Sequence, residues 1–369
     1  MVIGVPKEVK DQEYRVAMIP AGVQMLTAKG HHVLIEQGAG GGAGIMDEEY
    51  AVVGAELVAT AAEIYARAEM ICKVKEPLPS EYGYLQSGHV LFTFLHLAAS
   101  IELTKALLQR QVVAIAYETV ETTDGRKPLL EPMSEIAGRM ALPIAAHYLS
   151  SPLGGRGVLL SGVPGVPPAT VTILGGGIVG YNAARMAAGM GASATLLELD
   201  ASRMRSLDEL LPHNVTTLMS NHLNIEECLR HADVVVGAVL ISGAKAPRIV
   251  TREMLKLLKP GSVIVDVAVD QGGCVETTRP TTHSDPVYEV NGIIHYCVTN
   301  MPGAYGRTAT FALTNVTLPY VLEIAEKGWK GAGQENPEIA KGFNVVNGNV
   351  TYPAVAEAHG MESVAWDAT

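Results

Sequence analysis

The feature that most constrains the fold of this chain is a glycine pattern between an apolar strand and a helix. Residues 171–174 indicate a buried strand, Gly175-Gly-Gly177-Ile-Val-Gly180 follows directly, and residues 181–190 have a helical pattern. In this context Gly175 permits a tight turn, Gly177 lets a pyrophosphate approach the backbone, and Gly180 lets the helix pack closely on the strand. The N-terminus of the helix adds N–H groups and a positive dipole end for phosphates. The pattern therefore predicts a dinucleotide-binding turn, and the alternative is a glycine turn that binds nothing.

A carboxylate at the end of the next strand supports the first interpretation. Glu198 ends the strand predicted at residues 194–198, and it lies 18 residues after Gly180, where an acid that binds the adenosine ribose is expected. Asp200 is a rival, but the strand pattern favours Glu198. A carboxylate here also disfavours the 2′-phosphate of NADP, because two like charges about 4 Å apart cost on the order of 4 kcal/mol at an effective dielectric near 20. NAD is therefore the expected cofactor.

Composition excludes several classes of protein. The chain has 369 residues, which suggests two domains at about 150 residues each. Its net charge of −11 argues against general binding of nucleic acid, which needs a basic surface. No apolar run approaches the roughly 18 residues needed to span a bilayer, and no secretory signal is visible, so a cytoplasmic protein is expected. The four cysteines form no CxxC pair and the histidines lack metal-ligand spacing, so neither a disulfide framework nor a metal is expected.

Strand and helix patterns alternate in both halves of the chain, which is typical of α/β domains with mostly parallel sheets. In the first half, strands are predicted at 32–36, 70–75, 90–96 and 112–118, and helices at 20–29, 61–68, 80–85 and 101–110. A turn cluster at residues 122–128 is a candidate domain boundary. In the second half, strands are predicted at 170–174, 194–198, 216–220, 234–240, 262–269 and 293–298, with a kinked helix at 134–150 and a helix at 308–327 that Gly328 ends.

Ionisable residues at the ends of predicted strands are candidates for a site. Lys75, His96 and Glu118 each end a predicted strand of the first half, and ligands of open α/β sheets bind outside the carboxyl ends of strands. The alternative is that such charges only mark where strands reach the surface. Asp270 holds the same position after the predicted strand at 262–269, where it is either near the nicotinamide or a turn-former. Arg15 can bind a carboxylate through two hydrogen bonds, although a surface salt bridge is the commoner role.

Several longer stretches together resemble the alanine dehydrogenase family, whose members interconvert L-alanine with pyruvate and ammonium. The resemblance rests on Gly4-Val-Pro-Lys-Glu, Glu13-Tyr-Arg-Val-Ala, Lys73-Val-Lys-Glu-Pro, Leu95-His96, Pro132-Met-Ser-Glu-Ile-Ala-Gly, the glycine pattern at 175–180, Gly243-Ala-Lys-Ala-Pro, Val265-Asp-Val-Ala-Val-Asp-Gln-Gly-Gly-Cys274, Asn300-Met-Pro-Gly and Ala312-Leu-Thr-Asn. It covers nearly the whole chain and is weakest over the last thirty residues.

The resemblance implies an architecture and a set of site residues. It implies two doubly wound Rossmann-like domains with the active site in the cleft between them: a substrate domain at 1–128 and 307–369, and an NAD domain at 129–306. It implies Arg15 and Lys75 as substrate-binding residues and His96 and Asp270 as the catalytic pair. Around the cofactor it implies Ser134, Gly175, Gly177, Gly180, Glu198, Arg203, Ser220, Val239, Leu240, Val267, Asp270 and Asn300. It also implies a homohexamer.

Two departures from the family pattern affect these expectations. Glu198 stands where the family usually has Asp, which moves the charge by about one methylene and makes the ribose geometry less certain. Tyr305-Gly306-Arg307 stands where the family often reads Val-Pro-Arg, which predicts a different hinge near residue 305.

The resemblance and the residue chemistry imply one reaction. Hydride is delivered to an imine formed from pyruvate and ammonia, Arg15 and Lys75 hold the substrate, and His96 and Asp270 move protons in an order that stays open. Three alternatives also stay open: the nucleotide-binding subunit of a proton-translocating transhydrogenase, a dehydrogenase for another 2-oxo acid, and a non-catalytic NAD-binding regulator. The presence of all four residues favours the dehydrogenase over the transhydrogenase subunit.

Overall fold

The computed structural model describes residues 1–239 and 246–369, which form two α/β units. Unit 1 comprises Met1–Met133 and Gly303–Thr369, and unit 2 comprises Ser134–Pro302. The predicted domain boundaries, after residues 128 and 306, lie within five residues of these divisions. Each unit is built on its own mostly parallel sheet, so the predicted fold class of two doubly wound domains is confirmed.

The regular elements are numbered in chain order. The strands are β1 (Val2–Val5), β2 (His32–Glu36), β3 (Glu56–Val58), β4 (Met70–Cys72), β5 (Val90–Thr93), β6 (Val113–Ala116), β7 (Thr170–Leu174), β8 (Ser193–Glu198), β9 (Val215–Met219), β10 (Val234–Gly237), β11 (Val263–Asp266), β12 (Val287–Val290), β13 (Ile293–Tyr296), β14 (Phe343–Val346) and β15 (Asn349–Val350). The helices are α1 (Pro20–Ala28), α2 (Asp47–Val52), α3 (Ala61–Arg67), α4 (Ile101–Gln109), α5 (Glu131–Tyr148), α6 (Ile178–Gly189), α7 (Ala201–Leu210), α8 (His222–His231), α9 (Gly306–Glu335), α10 (Pro337–Gly342) and α11 (Pro353–His359). None of these helices combines the length and the apolar character needed to span a bilayer within residues 1–239 and 246–369.

The sheet of unit 1 has the order β15-β14-β6-β5-β4-β1-β2-β3. Strands β1 to β6 pair in parallel, and β14 returns antiparallel to both β6 and β15. The chain adds β2 and β3 on one side of β1 and then crosses to add β4, β5 and β6 on the other. The carboxyl ends of β1 and β4 therefore flank a topological switch point, where open α/β sheets bind ligands.

The sheet of unit 2 has the order β12-β13-β11-β10-β7-β8-β9, and all pairs are parallel except β12 with β13. Its switch point lies between β7 and β10. The four residues of β10 and the four of β11 are all buried, as expected for parallel strands covered on both faces. This covered sheet forms the core that fixes the glycine turn after β7.

Several elements differ from the sequence predictions. The helix predicted at 80–85 is wrong: only the single 3-10 turn Tyr82–Tyr84 forms there, and Gly83 lies inside it, where glycine disfavours a helix. The strands predicted to reach residues 75, 96 and 118 end three residues, three residues and two residues earlier, at Cys72, Thr93 and Ala116. The helix predicted at 308–327 begins two residues earlier, at Gly306, and the predicted break at Gly328 is confirmed, since its φ of 69° divides α9 into two helical segments. Strands β1, β3, β12, β14 and β15 were not predicted.

Candidate active site

The glycine turn after β7 has the geometry that a bound dinucleotide requires. Gly175 has φ 96°, a conformation that glycine adopts without steric cost. A Cβ on Gly180 would lie 1.8 Å from the carbonyl oxygen of Gly175, so the close packing of α6 on the turn admits no side chain. A Cβ on Gly177 would meet nothing within 4 Å, which leaves the backbone open at the start of α6. The first N–H groups of that helix lack intrahelical acceptors, so the turn fits a pyrophosphate.

Glu198 connects the end of β8 to this turn. Its carboxylate accepts hydrogen bonds from the backbone N–H of Gly176 at 2.8 Å and of Asp200 at 3.0 Å. Asp200 instead caps α7, because its side chain accepts the N–H of Arg203 at 2.8 Å. The geometry thus favours Glu198 over Asp200 as the carboxylate that faces a ribose.

Two more of the predicted cofactor residues gather around Glu198. Arg203 donates from Nε to the carbonyl oxygen of Gly176 at 2.9 Å. The backbone N–H of Ser220, just after β9, donates to the carbonyl oxygen of Glu198 at 2.8 Å. Glu198, Arg203 and Ser220 therefore surround the glycine turn on the side of β8 and β9.

The other predicted cofactor residues of unit 2 lie on separate elements. Val239 follows β10, and its Cγ2 would lie 2.8 Å from a Cβ on Gly175, so it borders the turn on the other side. Val267 begins the 3-10 helix after β11, Ser134 lies on α5, and Asn300 is buried with a left-handed backbone at φ 63°. Leu240 lies outside the described residues.

The predicted strand at 262–269 is wrong in its last three residues, and the reason is the side chain of Asp266. This buried carboxylate accepts hydrogen bonds from the N–H of Ala268 at 3.1 Å, the N–H of Cys274 at 3.0 Å and the hydroxyl of Thr278 at 2.9 Å. These bonds turn the chain into the 3-10 helix Val267–Gln271. Burial raises the pKa of Asp266, although the hydrogen bonds oppose that shift. Asp266 therefore has a structural role in this turn.

Asp270 lies on this 3-10 helix and is exposed to solvent. It follows the carboxyl end of β11, which neighbours β10 in the sheet. The turn that Asp266 holds therefore presents Asp270 at the same sheet edge that carries the glycine turn. This placement makes the carboxylate of Asp270 accessible at that edge.

In unit 1, the segment after β4 is held at the switch point. The backbone N–H of Val74 donates to Glu8, which follows β1, at 2.6 Å, and Thr93 donates from its hydroxyl to the carbonyl oxygen of Lys75 at 3.0 Å. Lys75 itself is 8% exposed. Glu8, Lys75 and Thr93, which lie at the carboxyl ends of β1, β4 and β5, thus meet at one edge of the sheet.

A buried cluster that the sequence analysis missed supports this segment. The ammonium of Lys73 lies 3.2 Å from Glu8 and 2.9 Å from Glu81, and all three side chains are almost fully buried. Burial alone would lower the pKa of Lys73, but the two carboxylates raise it above its ordinary value. Burial also raises the pKa of Glu8. The only signal in the sequence was a lysine at a predicted strand position, where a charge needs a buried partner.

His96 has an unusual backbone that Glu118 holds in place. Its φ is 50°, in the left-handed region, and its N–H donates to the Glu118 carboxylate at 2.6 Å. The N–H of Leu95 donates to the same carboxylate at 3.2 Å. The carboxylate of Glu118 therefore binds the backbone of this turn. The imidazole is 44% exposed, and its Nδ1 lies 3.9 Å from Oε2 of Glu76.

Arg15 is buried, so the alternative of a surface salt bridge is wrong. It is 2% exposed, and its guanidinium binds both oxygens of Glu13, with Nε 2.6 Å from Oε1. Nη1 donates to the sulfur of Met133 at 3.1 Å. Glu13 was not predicted as a site residue, although its spacing of two residues from Arg15 is visible in the sequence. Glu13 fixes the orientation of the guanidinium.

The family departure near residue 305 fits its surroundings within unit 1. A Cβ on Gly306 would lie 2.5 Å from the Cβ of Tyr14 and 2.9 Å from its carbonyl oxygen. Arg307 donates to the carbonyl oxygens of Ala43 at 3.0 Å and Gly44 at 3.2 Å. Glycine is therefore required at 306 by the close approach of Tyr14.

In the part of the chain that the structure describes, no group of three or more His, Cys, Asp or Glu side chains is arranged to hold a metal ion.

Comparison with known proteins gives matches over both units. The domain family described as Alanine dehydrogenase/PNT, N-terminal domain, matches residues 4–137, and the one described as Alanine dehydrogenase/PNT, C-terminal domain, matches residues 141–353. The chain is 58% identical to an alanine dehydrogenase of Methanococcus maripaludis over 98% of this chain and 97% of that protein. It is 56% identical to an alanine dehydrogenase of Bacillus subtilis over 99% of this chain and 96% of that protein. A solved L-alanine dehydrogenase is similar with a TM-score of 0.94 and 50% identity, covering 98% of this chain and 99% of that chain.

Proposed function

Because the chain belongs to the alanine dehydrogenase/PNT family, we propose that it catalyses the reversible oxidative deamination of L-alanine to pyruvate and ammonium. The observation that carries this proposal is the near full-length similarity to relatives named alanine dehydrogenase. The residues that such chemistry needs are present in both units. Arg15, Lys75 and His96 belong to unit 1, and Asp270 belongs to unit 2.

The family and the Rossmann-like unit imply a nicotinamide dinucleotide, and NAD is the proposed one. The open backbone at Gly177 fits the pyrophosphate, and the carboxylate of Glu198 fits the adenosine ribose. The negative charge of Glu198 would repel the additional phosphate of NADP, which supports NAD over NADP. When bound, the nicotinamide accepts hydride from alanine or returns it in the reverse direction.

Arg15 and Lys75 are proposed to bind the carboxylate of the substrate. Because Glu13 fixes the guanidinium of Arg15, the group is preorganised and loses little freedom when a ligand arrives. Lys75 lies at the switch point, and its positive charge stabilises negative charge on the carboxylate and carbonyl oxygens. The two residues therefore select a small 2-oxo acid or the corresponding amino acid.

His96 and Asp270 are proposed to move the protons. The exposed imidazole of His96 can hydrogen-bond the carbonyl oxygen of pyruvate and transfer a proton to it as water leaves. Asp270 would hold ammonia or water and act as the second acid–base group. Both side chains are accessible to a substrate, since the imidazole of His96 is 44% exposed and Asp270 is exposed to solvent.

The test is oxidation of NADH by the purified protein with pyruvate, measured at 340 nm with and without ammonium. We expect turnover that requires ammonium and that is far slower with NADPH. Turnover without ammonium would indicate a dehydrogenase for a 2-hydroxy acid instead. Binding of NADH without turnover on any of several 2-oxo acids would indicate a non-catalytic regulator.

The assembly and the location follow from the same resemblance. We propose a homohexamer in the cytoplasm. Light scattering coupled to size-exclusion chromatography would give a mass six times that of the chain, and a monomeric mass would refute the assembly.

A further inference from the structure

The carboxylate of Glu76 is the candidate for a further role in unit 1, because it lies between three positive or protonatable groups. Its Oε1 accepts a hydrogen bond from Lys10 at 2.6 Å, and its Oε2 lies 3.9 Å from Nδ1 of His96. Lys75 lies close enough for its charge to act on the same carboxylate. Resting on the function proposed above, we propose that Glu76 is a positioning residue, which holds the His96 imidazole in the tautomer and orientation that proton transfer requires.

The first argument is the unmet hydrogen-bonding capacity of Oε2. This oxygen is inaccessible to solvent, and it accepts no hydrogen bond from any described residue. Buried polar atoms in native proteins almost always have a partner, and each exception calls for an explanation. His96 Nδ1 lies 3.9 Å from this oxygen, so an Nδ1–H donor needs to approach by about 1 Å to reach hydrogen-bond distance. Hydrogen bonds of this kind are often long in ligand-free proteins and tighten when substrate binds.

The second argument is charge. Burial alone would raise the pKa of Glu76, but the charges of Lys75 and Lys10 and the Lys10 hydrogen bond lower it below its ordinary value. Glu76 is therefore an anion at neutral pH and acts only as an acceptor. Lys10 binds Oε1, so the carboxylate is fixed with Oε2 toward His96.

The third argument is that the contacts described for His96 hold its main chain more firmly than its imidazole ring. Glu118 holds the N–H groups of Leu95 and His96, but this carboxylate binds the main chain and leaves the ring to rotate about its side-chain bonds. Phe94 lies beside the imidazole with ring centroids 5.9 Å apart, which limits one face. A carboxylate that accepts from Nδ1–H fixes the tautomer with its proton on Nδ1 and leaves Nε2 to exchange a proton with the substrate.

The test compares Glu76→Gln with the matched control Glu323→Gln in the reductive amination assay. Glu323 is also a partly buried carboxylate that binds a lysine, Lys327, at 2.8 Å, but it lies on α9. Glu76→Gln keeps the size of the side chain and removes the negative charge. Because a hydrogen bond to a charged group contributes about 1.5–3 kcal/mol, kcat should fall about ten- to hundredfold, while the KM for pyruvate changes less than about twofold. Glu323→Gln should leave both constants as in the unaltered protein.

A double-variant cycle distinguishes positioning from a structural role. If Glu76 acts through His96, Glu76→Gln should cause no further loss of kcat in a His96→Asn background. A full additional loss in that background would overturn the proposal, and so would normal kcat in Glu76→Gln. If Glu76→Gln is unstable in thermal melts, Lys10→Met is used in the same cycle. Loss of the Lys10 ammonium releases the Glu76 carboxylate from its fixed orientation. Absence of ammonium-dependent turnover in the unaltered protein would instead refute the proposed function, so the two failures are separable.

Discussion

Two glycines of the dinucleotide turn should respond to alanine in opposite ways. Gly180 packs against the turn, since an added Cβ would lie 1.8 Å from the Gly175 carbonyl oxygen, whereas a Cβ on Gly177 meets no atom within 4 Å. Gly177 also has φ −66°, which alanine adopts readily. Gly180→Ala should therefore destabilise unit 2, and Gly177→Ala should impair the binding of cofactor while the unit stays folded.

The magnitudes follow from the contacts. Overpacking costs about 1–3 kcal/mol, and a clash with backbone at this distance belongs at the upper end, about 3 kcal/mol. Alanine gains about 1 kcal/mol in helix propensity, so the net loss for Gly180→Ala is about 2 kcal/mol or more. For a unit of about 170 residues this lowers Tm by about 4–8 °C or more. Gly177→Ala loses only the preference of glycine at the N-cap, about 0.5–1 kcal/mol, which lowers Tm by about 1–4 °C.

The assay is a thermal melt of each variant without cofactor, followed by titration with NADH monitored by its fluorescence. A methyl group at 177 would stand where the pyrophosphate approaches the backbone, so the dissociation constant for NADH should rise at least about tenfold, or 1.4 kcal/mol. The interpretation of the turn as a dinucleotide site is refuted if Gly177→Ala binds NADH normally. A larger Tm loss in Gly177→Ala than in Gly180→Ala would contradict the packing argument.

Four further substitutions test other parts of the molecule. Glu198→Ala should weaken NADH binding and raise the rate with NADPH relative to NADH; equal use of both cofactors by the unaltered protein would remove this role from Glu198. Lys75→Ala should raise the KM for pyruvate at least about tenfold, because a charge-assisted hydrogen bond contributes about 1.5–3 kcal/mol. NADH binding should stay nearly intact, and a normal KM would exclude Lys75 from substrate binding. Asp270→Asn should lose about 10²–10⁴-fold in turnover in both directions, and full activity in the folded variant would exclude Asp270 from the mechanism. Burial lowers the pKa of His295, so the unfolded chain binds a proton at a higher pH than the folded chain does. The free energy of unfolding should therefore fall as pH drops below about 6.5, by at most about 1.4 kcal/mol per pH unit. In thermal melts between pH 7.5 and 5.5, Tm should fall less in His295→Asn than in the unaltered protein, and equal falls would contradict a role for His295 in this pH dependence.

The strand and turn of the dinucleotide motif were predicted accurately from the sequence. Strand β7 coincides with the predicted strand at residues 170–174, and α6 begins three residues before the predicted helix at 181–190. This accuracy has a physical cause, because the positive φ of Gly175 and the close packing at Gly180 are local steric demands that select glycine. Strands β14 and β15 have no such local signal, since β14 pairs with β6, more than 200 residues away, and β15 pairs with β14.

The candidate residues of unit 1 show a similar division. Lys75 and His96 were recognisable because they follow apolar runs, which made them the ends of strands. Glu13 and Glu76 were not, because a carboxylate near a positive residue is common and only the fold shows which pair is buried. The strand predicted through residue 269 was wrong because the pattern of apolar residues continues past Asp266, while the hydrogen bonds of that side chain turn the backbone.

The return of β14 to the sheet of unit 1 has a consequence for how the chain folds as it is synthesised. Unit 2 is one continuous segment, whereas the sheet of unit 1 is completed only when residues 343–350 have left the ribosome. At translation rates of about 5–20 residues per second, the edge of β6 stays unpaired for roughly ten to fifty seconds. An unpaired strand edge can pair with another chain, so nascent unit 1 passes through an aggregation-prone interval that unit 2 avoids. Slower translation between residues 117 and 342 should lengthen this interval and lower the yield of soluble protein.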